Sequence, residues 1–227
     1  MRARRLILLG TIATAAGWLA VLAAPVLHGV RRSLRTSSAP GAGVYDVAAG
    51  IFLGGWYDDM AAECAAALDG VATPSILEVG PGPGHLAERL LTLLPDARWT
   101  GVDVDAAMLD AVRRRLEAAG HADRATLVEA DVAAMPIPDA TVDIVVSSLS
   151  AHHWGDAKAG FREIGRVLRP GGRAIIVDVP AGLARLEGGA AAMSAADLVF
   201  DLPIRSRFRG VGPITVAWRM ELRAQRA

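Results

Sequence analysis

Residues 75–89 read SILEVGPGPGHLAER, and this stretch decides the fold. Its first five residues are apolar apart from one serine and one carboxylate, which suits a buried parallel strand. Glycines follow at every second position, at Gly80, Gly82 and Gly84, and leucines then recur at helical spacing. A strand, a glycine loop and a helix in this order bring bare backbone close to a nucleotide-like ligand. The two prolines between the glycines fix φ, so we expect a stiff loop.

The loop alone leaves the class of ligand open. It lacks the Lys-Ser or Lys-Thr ending of a phosphate-binding loop, which argues against an NTPase. Residues 82–87 satisfy the looser dinucleotide pattern GxGxxA, and Asp103 lies where a ribose-binding acid belongs. The glycines therefore fit NAD as well as other adenosine ligands. Glu78, two residues before the first glycine, would repel a pyrophosphate and attract an ammonium group.

Four segments of the chain together resemble the class I S-adenosylmethionine-dependent methyltransferases. The resemblance is to the small-molecule type related to the ubiquinone/menaquinone methyltransferases, also called methyltransferase type 11. The segments are EVGPGPG at 78–84, GVDVD at 101–105, EADVAAMPIPDATVDIVVSS at 129–148 and EIGRVLRPGGRAIIVD at 163–178. They follow the order of the family and cover roughly residues 70–180. The resemblance implies a doubly wound, mostly parallel α/β sheet of about seven strands with a C-terminal antiparallel strand, a Rossmann-like methyltransferase fold.

The resemblance also implies a binding site for S-adenosylmethionine at the carboxyl ends of the strands. Glu78 would orient the methionine amine, through a water molecule, and Asp103 would accept the ribose hydroxyls. Asp131 would accept the adenine amino group, while Val132 would pack on the ring or bond through its backbone. The implied donor-binding residues are Glu78, Gly80, Gly82, Gly84, Asp103, Val104, Asp131, Val132 and Ser148. Asp105, by contrast, is predicted to cap the helix that follows it.

No catalytic residue follows from the sequence. His152 or His153 could deprotonate a phenol or an alcohol, because imidazole titrates near neutral pH. A paired histidine at this place also recurs in the resembled family as a structural element, so both readings stay open. Methyl transfer from a sulfonium needs alignment above all, and positioning can supply ~7–11 kcal/mol of the barrier.

Composition narrows the classes of partner. The formal net charge of the 227-residue chain is zero, which argues against nucleic acid, because phosphate binding needs a basic surface. Cys64 is the single cysteine, so an intramolecular disulfide is excluded. No metal-ligand spacing is present, and we predict no metal. We expect a small-molecule acceptor as the partner.

The N-terminus predicts a membrane anchor. Residues 6–30 contain no Asp, Glu, Lys or Arg, and arginines flank them on both sides. As a helix this stretch would measure ~37 Å, longer than a hydrocarbon core of ~30 Å. We interpret residues 1–35 as a single-pass transmembrane anchor, 36–43 as a linker and 44–227 as the methyltransferase domain; a cleaved signal peptide is the alternative. Arginines on both sides leave the orientation open. Because the methyl donor is cytosolic, we expect the catalytic domain on the cytoplasmic side.

The boundaries of several elements can also be predicted. We expect a helix over 58–68 before the first strand, which either covers the substrate as a lid or packs on the sheet. Later strands are predicted at 98–102, 126–129, 142–147 and 174–179, and a closing hairpin at 202–208 and 214–222.

The predicted function is methyl transfer from S-adenosylmethionine to a small, lipophilic acceptor. The alternatives are an NAD(P)-dependent oxidoreductase, and a catalytically silent, membrane-tethered protein with the methyltransferase fold.

Overall fold

The computed structural model describes residues 53–178, together with the backbone of three short strands at 198–200, 204–207 and 218–226. Its helices are α1 (Gly54–Ala67), α2 (His85–Leu93), α3 (Ala106–Ala118) and α4 (Ala157–Val167). Its strands are β1 (Ser75–Val79), β2 (Arg98–Asp103), β3 (Ala125–Glu129), β4 (Val142–Ser148), β5 (Leu168–Asp178), β6 (Leu198–Phe200), β7 (Ile204–Arg207) and β8 (Trp218–Arg226). Single 3₁₀ turns lie at Ala122–Arg124, Val132–Ala134 and Ala151–His153.

Five parallel strands form the body of the sheet. The strand order is β3-β2-β1-β4-β5-β8-β6, and β7 pairs with β8 off this path. Strand β8 runs antiparallel to β5, with Ala174 opposite Ala224. The described sheet therefore has eight strands, where the sequence predicted about seven, and the predicted C-terminal antiparallel strand is present. The order of the chain reverses between β1 and β4, which is where open α/β sheets bind ligands, beyond the carboxyl ends of the strands.

The predicted anchor and linker, residues 1–35 and 36–43, lie outside the described residues. In the part of the chain that is described, no helix combines the length and the apolar character needed to cross a membrane. The predicted anchor therefore stays a prediction.

Two element boundaries differ from the prediction for identifiable reasons. Helix α1 begins at Gly54 rather than at 58, because Trp56 and Tyr57 are buried on its first turn. Strand β5 begins at Leu168 rather than at 174. Val142 pairs with Leu168 and Ile144 with Arg173, so residues 169–172 bulge out between two paired segments of one strand.

The two faces of the sheet are buried under different helices. Along β1, alternate side chains point to opposite faces. Leu77 and Val79 belong to a core cluster with Phe161 and Ile164 of α4, and all four are almost fully buried. Glu78 therefore points to the other face, within a buried strand. A carboxyl group inside an apolar strand is costly unless it is paired or neutral, so its surroundings are the first guide to the site.

Candidate functional site

The glycine loop joins two strand ends through a close contact. Gly80, Gly82 and Gly84 all have positive φ, at 68°, 54° and 83°, a conformation that L side chains adopt at a cost. A Cβ added to Gly80 would lie 1.9 Å from the Oγ of Ser150, which belongs to the loop after β4. The loops that follow the two central strands are therefore in direct backbone-to-side-chain contact, and glycine at position 80 is what makes that contact possible.

Glu78 is buried beside the glycine loop and is held by a tryptophan of the neighbouring strand. Its side chain is 1% exposed, and the indole Nε1–H of Trp99 donates to its Oε2 at 2.9 Å. The indole ring lies over Gly101, where an added Cβ would come within 2.2 Å of the ring. Burial raises the pKa of Glu78 to about 8; the indole bond opposes this shift and the nearby Asp103 adds to it. Glu78 is therefore mostly protonated at pH 7, and a bound cation would favour its ionised form.

Asp103 lies at the carboxyl end of β2, as predicted. Its Oδ1 accepts from the backbone N–H of Asp105 at 3.0 Å. The backbone N–H groups of Val104 and Gly82 also bond to it, which ties the carboxylate to the glycine loop. Burial raises its pKa despite these bonds. Asp105 caps α3 by accepting from the N–H of Ala107 at 2.8 Å, which confirms the role predicted for it.

Val104, next along the chain, is one of the most exposed large apolar residues described, at 65%. An exposed apolar side chain next to the acid predicted to bind ribose offers a surface on which the adenine ring could pack. This placement suits the donor-binding role predicted for Val104.

Two neighbouring residues of the predicted segment 129–148, Asp131 and Val132, have different surroundings. Asp131 is exposed, and one of its oxygens accepts from the N–H of Ala133 at 2.8 Å. Val132 is 4% exposed and packs on Gly160 of α4, where an added Cβ would lie 3.1 Å from its Cγ1. Of the two roles predicted for Val132, ring packing and backbone bonding, this burial favours the backbone.

The connection that follows Asp131 is fixed by one arginine of α4. Arg166 donates to the carbonyls of Met135 at 2.9 Å and Ile137 at 2.7 Å, and to the carboxylate of Asp139 at 2.6 Å. Glu163 accepts from the N–H of Met135 at 3.0 Å, and its hydrogen bond with Arg166 lowers its pKa. This network was not predicted from the sequence, and it holds the chain between Asp131 and β4.

Helix α1 contacts the same edge of the sheet. The indole N–H of Trp56 donates to the Oγ of Ser148 at 2.8 Å, so the predicted donor contact of Ser148 would share its hydroxyl with this bond. Tyr57 stacks on His85 at the start of α2, with ring centroids 5.5 Å apart and planes 13° apart. The helix thus contacts the sheet's edge through Trp56 and α2 through Tyr57, and its role as a mobile lid stays a prediction.

The two candidate histidines have different surroundings. The Nδ1 of His152 lies 2.9 Å and 3.0 Å from the two carboxylate oxygens of Asp178, and its backbone N–H donates to Oδ2 at 2.9 Å. The ring of His153 lies against that of His152, with centroids 4.0 Å apart. Burial and the neighbouring His152 lower the pKa of His153, partly offset by Asp178. Sequence reasoning missed Asp178, although an acid that ends a central strand was visible within 163–178.

The edge of the sheet is acidic and carries no fixed cation in its four loop segments. Residues 78–84, 101–105, 129–135 and 148–154 contain no lysine or arginine. Their acids are Glu78, Asp103, Asp105, Glu129 and Asp131. This donor set fits a ligand that brings positive charge and ribose hydroxyls, as S-adenosylmethionine does with its ammonium and sulfonium groups. Because like charges repel, these acids favour such a ligand over a pyrophosphate.

Comparisons with known proteins agree with this chemistry. A family model described as "Methyltransferase domain" matches residues 76–172. This match and the relatives that follow support a class I S-adenosylmethionine-dependent methyltransferase domain over these residues. It is similar to a demethylmenaquinone methyltransferase of Thermus thermophilus, with 36% identity over 109 residues, 48% of this chain and 49% of the relative. It is also similar to a 27-O-demethylrifamycin SV methyltransferase of Amycolatopsis mediterranei, with 35% identity over 113 residues, 48% and 41%.

A solved structure shows the same fold. The S-adenosylmethionine-dependent methyltransferase of Aquifex aeolicus superposes with a TM-score of 0.60 at 14% identity, over 77% of this chain and 92% of that one. At this identity the likeness concerns the fold alone. The chain spans about half the length of the curated relatives it matches.

The comparisons support S-adenosylmethionine as the methyl donor of this domain. Neither the oxidoreductase alternative nor the silent one gains support from the comparisons. Within residues 53–178 and the three later strands, no cluster of His, Cys, Asp or Glu could hold a metal ion.

Proposed function

We propose that the protein transfers a methyl group from S-adenosylmethionine to a small lipophilic acceptor. The observation that carries the proposal is the acidic edge of the sheet: Glu78 is buried beside the glycine loop, and Asp103 is tied to the same loop through Gly82. The ammonium and sulfonium groups of S-adenosylmethionine supply the positive charge with which these carboxyl groups can pair. When bound, it supplies an electrophilic methyl group whose leaving sulfur is already activated.

The chain's own residues then have the task of alignment. The glycine loop lets backbone approach the methionine and ribose portion, because no side chain at 80, 82 or 84 is in the way. Asp103 holds the ribose hydroxyls, and Val104 offers an open apolar surface beside it. The charge of Glu78 orients the amine. Such positioning can account for a large part of the rate, up to ~7–11 kcal/mol of the barrier.

The lipophilic character of the acceptor and the site of action are further parts of this proposal. Residues 6–30 are long and apolar enough to anchor the protein in a membrane, with arginines on both sides. A membrane-tethered enzyme meets acceptors that partition into lipid, such as quinone or lipid precursors. We place the catalytic domain on the cytoplasmic side, where the methyl donor is made.

Labelled methyl transfer tests the proposal directly. The full chain would be incubated with methyl-labelled S-adenosylmethionine and with two fractions of a cell extract, the organic-soluble lipids and the aqueous metabolites. We expect a labelled product in the lipid fraction, and none when Asp103→Asn replaces the wild-type chain. Label confined to the aqueous fraction would contradict the lipophilic acceptor, and label in neither fraction would contradict methyl transfer.

The anchor needs its own measurement. The full chain and a chain lacking residues 1–35 would be expressed separately, and the membranes washed with carbonate. We expect the full chain to stay in the washed membranes and the shortened chain to leave them. A full chain that is released by the wash would contradict a transmembrane anchor.

A further inference from the structure

His152 carries a carboxylate partner that the donor site does not use. Asp178 is 0% exposed at the last position of β5, and its two oxygens receive the ring Nδ1 and the backbone N–H of His152. The side chain of His152 keeps 16% of its surface exposed. Because Nδ1 faces the carboxylate, the protonated nitrogen of the neutral ring is Nδ1. The other nitrogen, Nε2, then holds a lone pair that can accept a proton.

The loop that carries His152 is built against the donor site. Leu149 has φ of 54°, a left-handed conformation that is strained for a bulky residue, and its N–H bonds to the carbonyl of Val177 at 2.9 Å. The chain therefore turns sharply after β4. The next residue, Ser150, lies against Gly80 of the glycine loop. His152 thus sits between the ends of β4 and β5, one short turn from the donor loop.

We propose that His152, held by Asp178, is the general base of the methyl transfer, and that the acceptor therefore presents a hydroxyl group, as a phenol, a hydroquinone or an alcohol does. This proposal rests on the proposed function. Asp178 acts as a positioning residue: it fixes which nitrogen of the ring is free and faces the imidazolium once the proton has arrived.

The step balances without another reagent. The acceptor oxygen forms the new bond to the methyl carbon, and the bond between that carbon and sulfur breaks with its electron pair left on sulfur. The hydroxyl proton passes to Nε2 of His152. The imidazolium that results lies against the carboxylate of Asp178 and later loses its proton to solvent through the exposed part of the ring.

The choice of a hydroxyl follows from the chemistry of the products. An uncharged hydroxyl that attacks a methyl group must lose its proton, since the product would otherwise be a strongly acidic oxonium ion. A base is therefore useful for an oxygen acceptor. An amine gives an ammonium product that is far less acidic than an oxonium ion, and a thiol ionises more readily than an alcohol or a phenol. The imidazole-carboxylate pair therefore indicates a hydroxyl acceptor, because a hydroxyl group depends most on a general base.

The state of the ring can be read without any acceptor. The full chain would be labelled with ¹⁵N-histidine, and the signals of His152 among the five histidines would be assigned by their loss in His152→Gln. At pH 8 in the presence of S-adenosylhomocysteine, we expect the tautomer protonated at Nδ1. A ring protonated at Nε2 would overturn the proposal, because the nitrogen free to accept a proton would then face Asp178.

Matched acceptors test the substrate class and the role of the ring together. Transfer from labelled S-adenosylmethionine to 4-methylphenol, 1,4-naphthohydroquinone, 4-methylaniline and 4-methylthiophenol would be compared. We expect hydroxyl acceptors to be labelled on oxygen, with a kcat that falls about 10²–10⁴-fold in His152→Gln. Label on the amine or the thiol alone would overturn the hydroxyl assignment; where none of the four accepts the label, the tautomer decides.

Variants separate the base from its neighbours. The contacts described for His152 include two titratable groups, Asp178 and His153. Asp178→Asn should lower kcat with little change in KM, and should remove the preference for Nδ1–H in the spectrum. His153→Gln should keep most of the rate, and a loss as large as that of His152→Gln would overturn the choice of His152. Lys158→Ala, a substitution at an exposed position of α4, is the control and should keep the wild-type rate.

The outcome is distinct from that of the proposed function. If S-adenosylhomocysteine binds and His152→Gln still transfers methyl at the wild-type rate, the dyad fails and the methyltransferase stands. If S-adenosylhomocysteine does not bind the wild type, the proposed function itself fails.

Discussion

Two buried carboxyl groups, Glu78 on β1 and Asp178 on β5, lie at the same edge of one sheet and face different requirements. Both side chains are at most 1% exposed. Glu78 is met by one neutral indole N–H, that of Trp99. Asp178 is met by a backbone N–H and by the imidazole of His152, a group that can itself become a cation.

The two carboxyl groups differ in what compensates for the water that each loses on burial. The pKa of Glu78 is raised to about 8 because a single indole bond does not replace the water lost on burial. Its charge becomes favourable when a cation arrives from outside. Asp178 has its potential cation built into the next loop. Glu78 therefore gains a charged partner only when the methyl donor binds, whereas Asp178 already has His152 as its partner in the folded protein.

The largest effect should come from breaking the contact that joins the two halves. Gly80→Ala puts a Cβ 1.9 Å from the Oγ of Ser150 and demands a positive φ from alanine. We expect a loss of about 2–5 kcal/mol in the free energy of unfolding, from strain and overpacking together. S-adenosylhomocysteine binding should fall at least tenfold. Urea denaturation and calorimetry measure the two effects.

The double variant Gly80→Ala with Ser150→Gly gives the control for that change. It removes the clash and leaves the backbone strain, so it should recover part of the lost stability. A double variant no more stable than Gly80→Ala alone would show that the two loops do not meet there.

The next largest effect should fall on the donor half alone. Glu78→Gln keeps an oxygen for the indole of Trp99 and removes the negative charge. A bond to a charged group contributes about 1.5–3 kcal/mol, so the Kd for S-adenosylhomocysteine should rise about 10- to 150-fold. Glu117→Gln, an exposed change on α3, is the matched control. Equal binding by Glu78→Gln and the wild type would remove Glu78 from the site.

The same variant should be more stable than the wild type at alkaline pH. A carboxyl group whose folded pKa is raised destabilises the folded state as it ionises. That cost is absent below the ordinary value of 4.5 and complete above about 8. The free energy of unfolding of the wild type should therefore fall relative to Glu78→Gln between pH 5 and pH 8, by a few kcal/mol. Denaturation curves across this range check the sign, and parallel curves would contradict it.

Binding of the methyl donor should release protons from Glu78. Glu78 is largely protonated at pH 7 in the free protein, and a cation beside it favours ionisation. Titration of S-adenosylmethionine in buffers of different ionisation enthalpy should show the release of a proton fraction on the order of one. No buffer dependence should remain in Glu78→Gln. Proton uptake by the wild type would contradict the account.

The smallest effect should arise away from both carboxyl groups. Arg166→Met removes three hydrogen bonds that hold the chain between 135 and 139. Because this arginine is partly exposed, we expect a loss of about 1–2 kcal/mol in stability and only a few-fold change in donor affinity. Arg162→Met on the exposed face of α4 is the control. A loss of all donor binding would place Arg166 in the site rather than behind it.

The residues that follow one another in the chain were predictable, and the partners across strands were not. The glycine loop, Asp103 and the capping role of Asp105 depend on local spacing, which the sequence shows directly. Trp99 reaches Glu78 because the register sets Glu78 opposite Gly101, which leaves room for the ring. The pairing of His152 with Asp178 likewise depends on the register of β4 and β5. Registers of parallel strands are set by packing of the whole sheet, which no short segment reveals.

Calorimetric titration of the full chain with S-adenosylhomocysteine, and separately with NADH, tests the central claim most directly. The acidic edge of the sheet was assigned to a cationic adenosine ligand without a pyrophosphate. We expect saturable binding of S-adenosylhomocysteine that is lost in Asp103→Asn, and no binding of NADH. Binding of NADH in preference to S-adenosylhomocysteine, or unchanged binding by Asp103→Asn, would contradict the account.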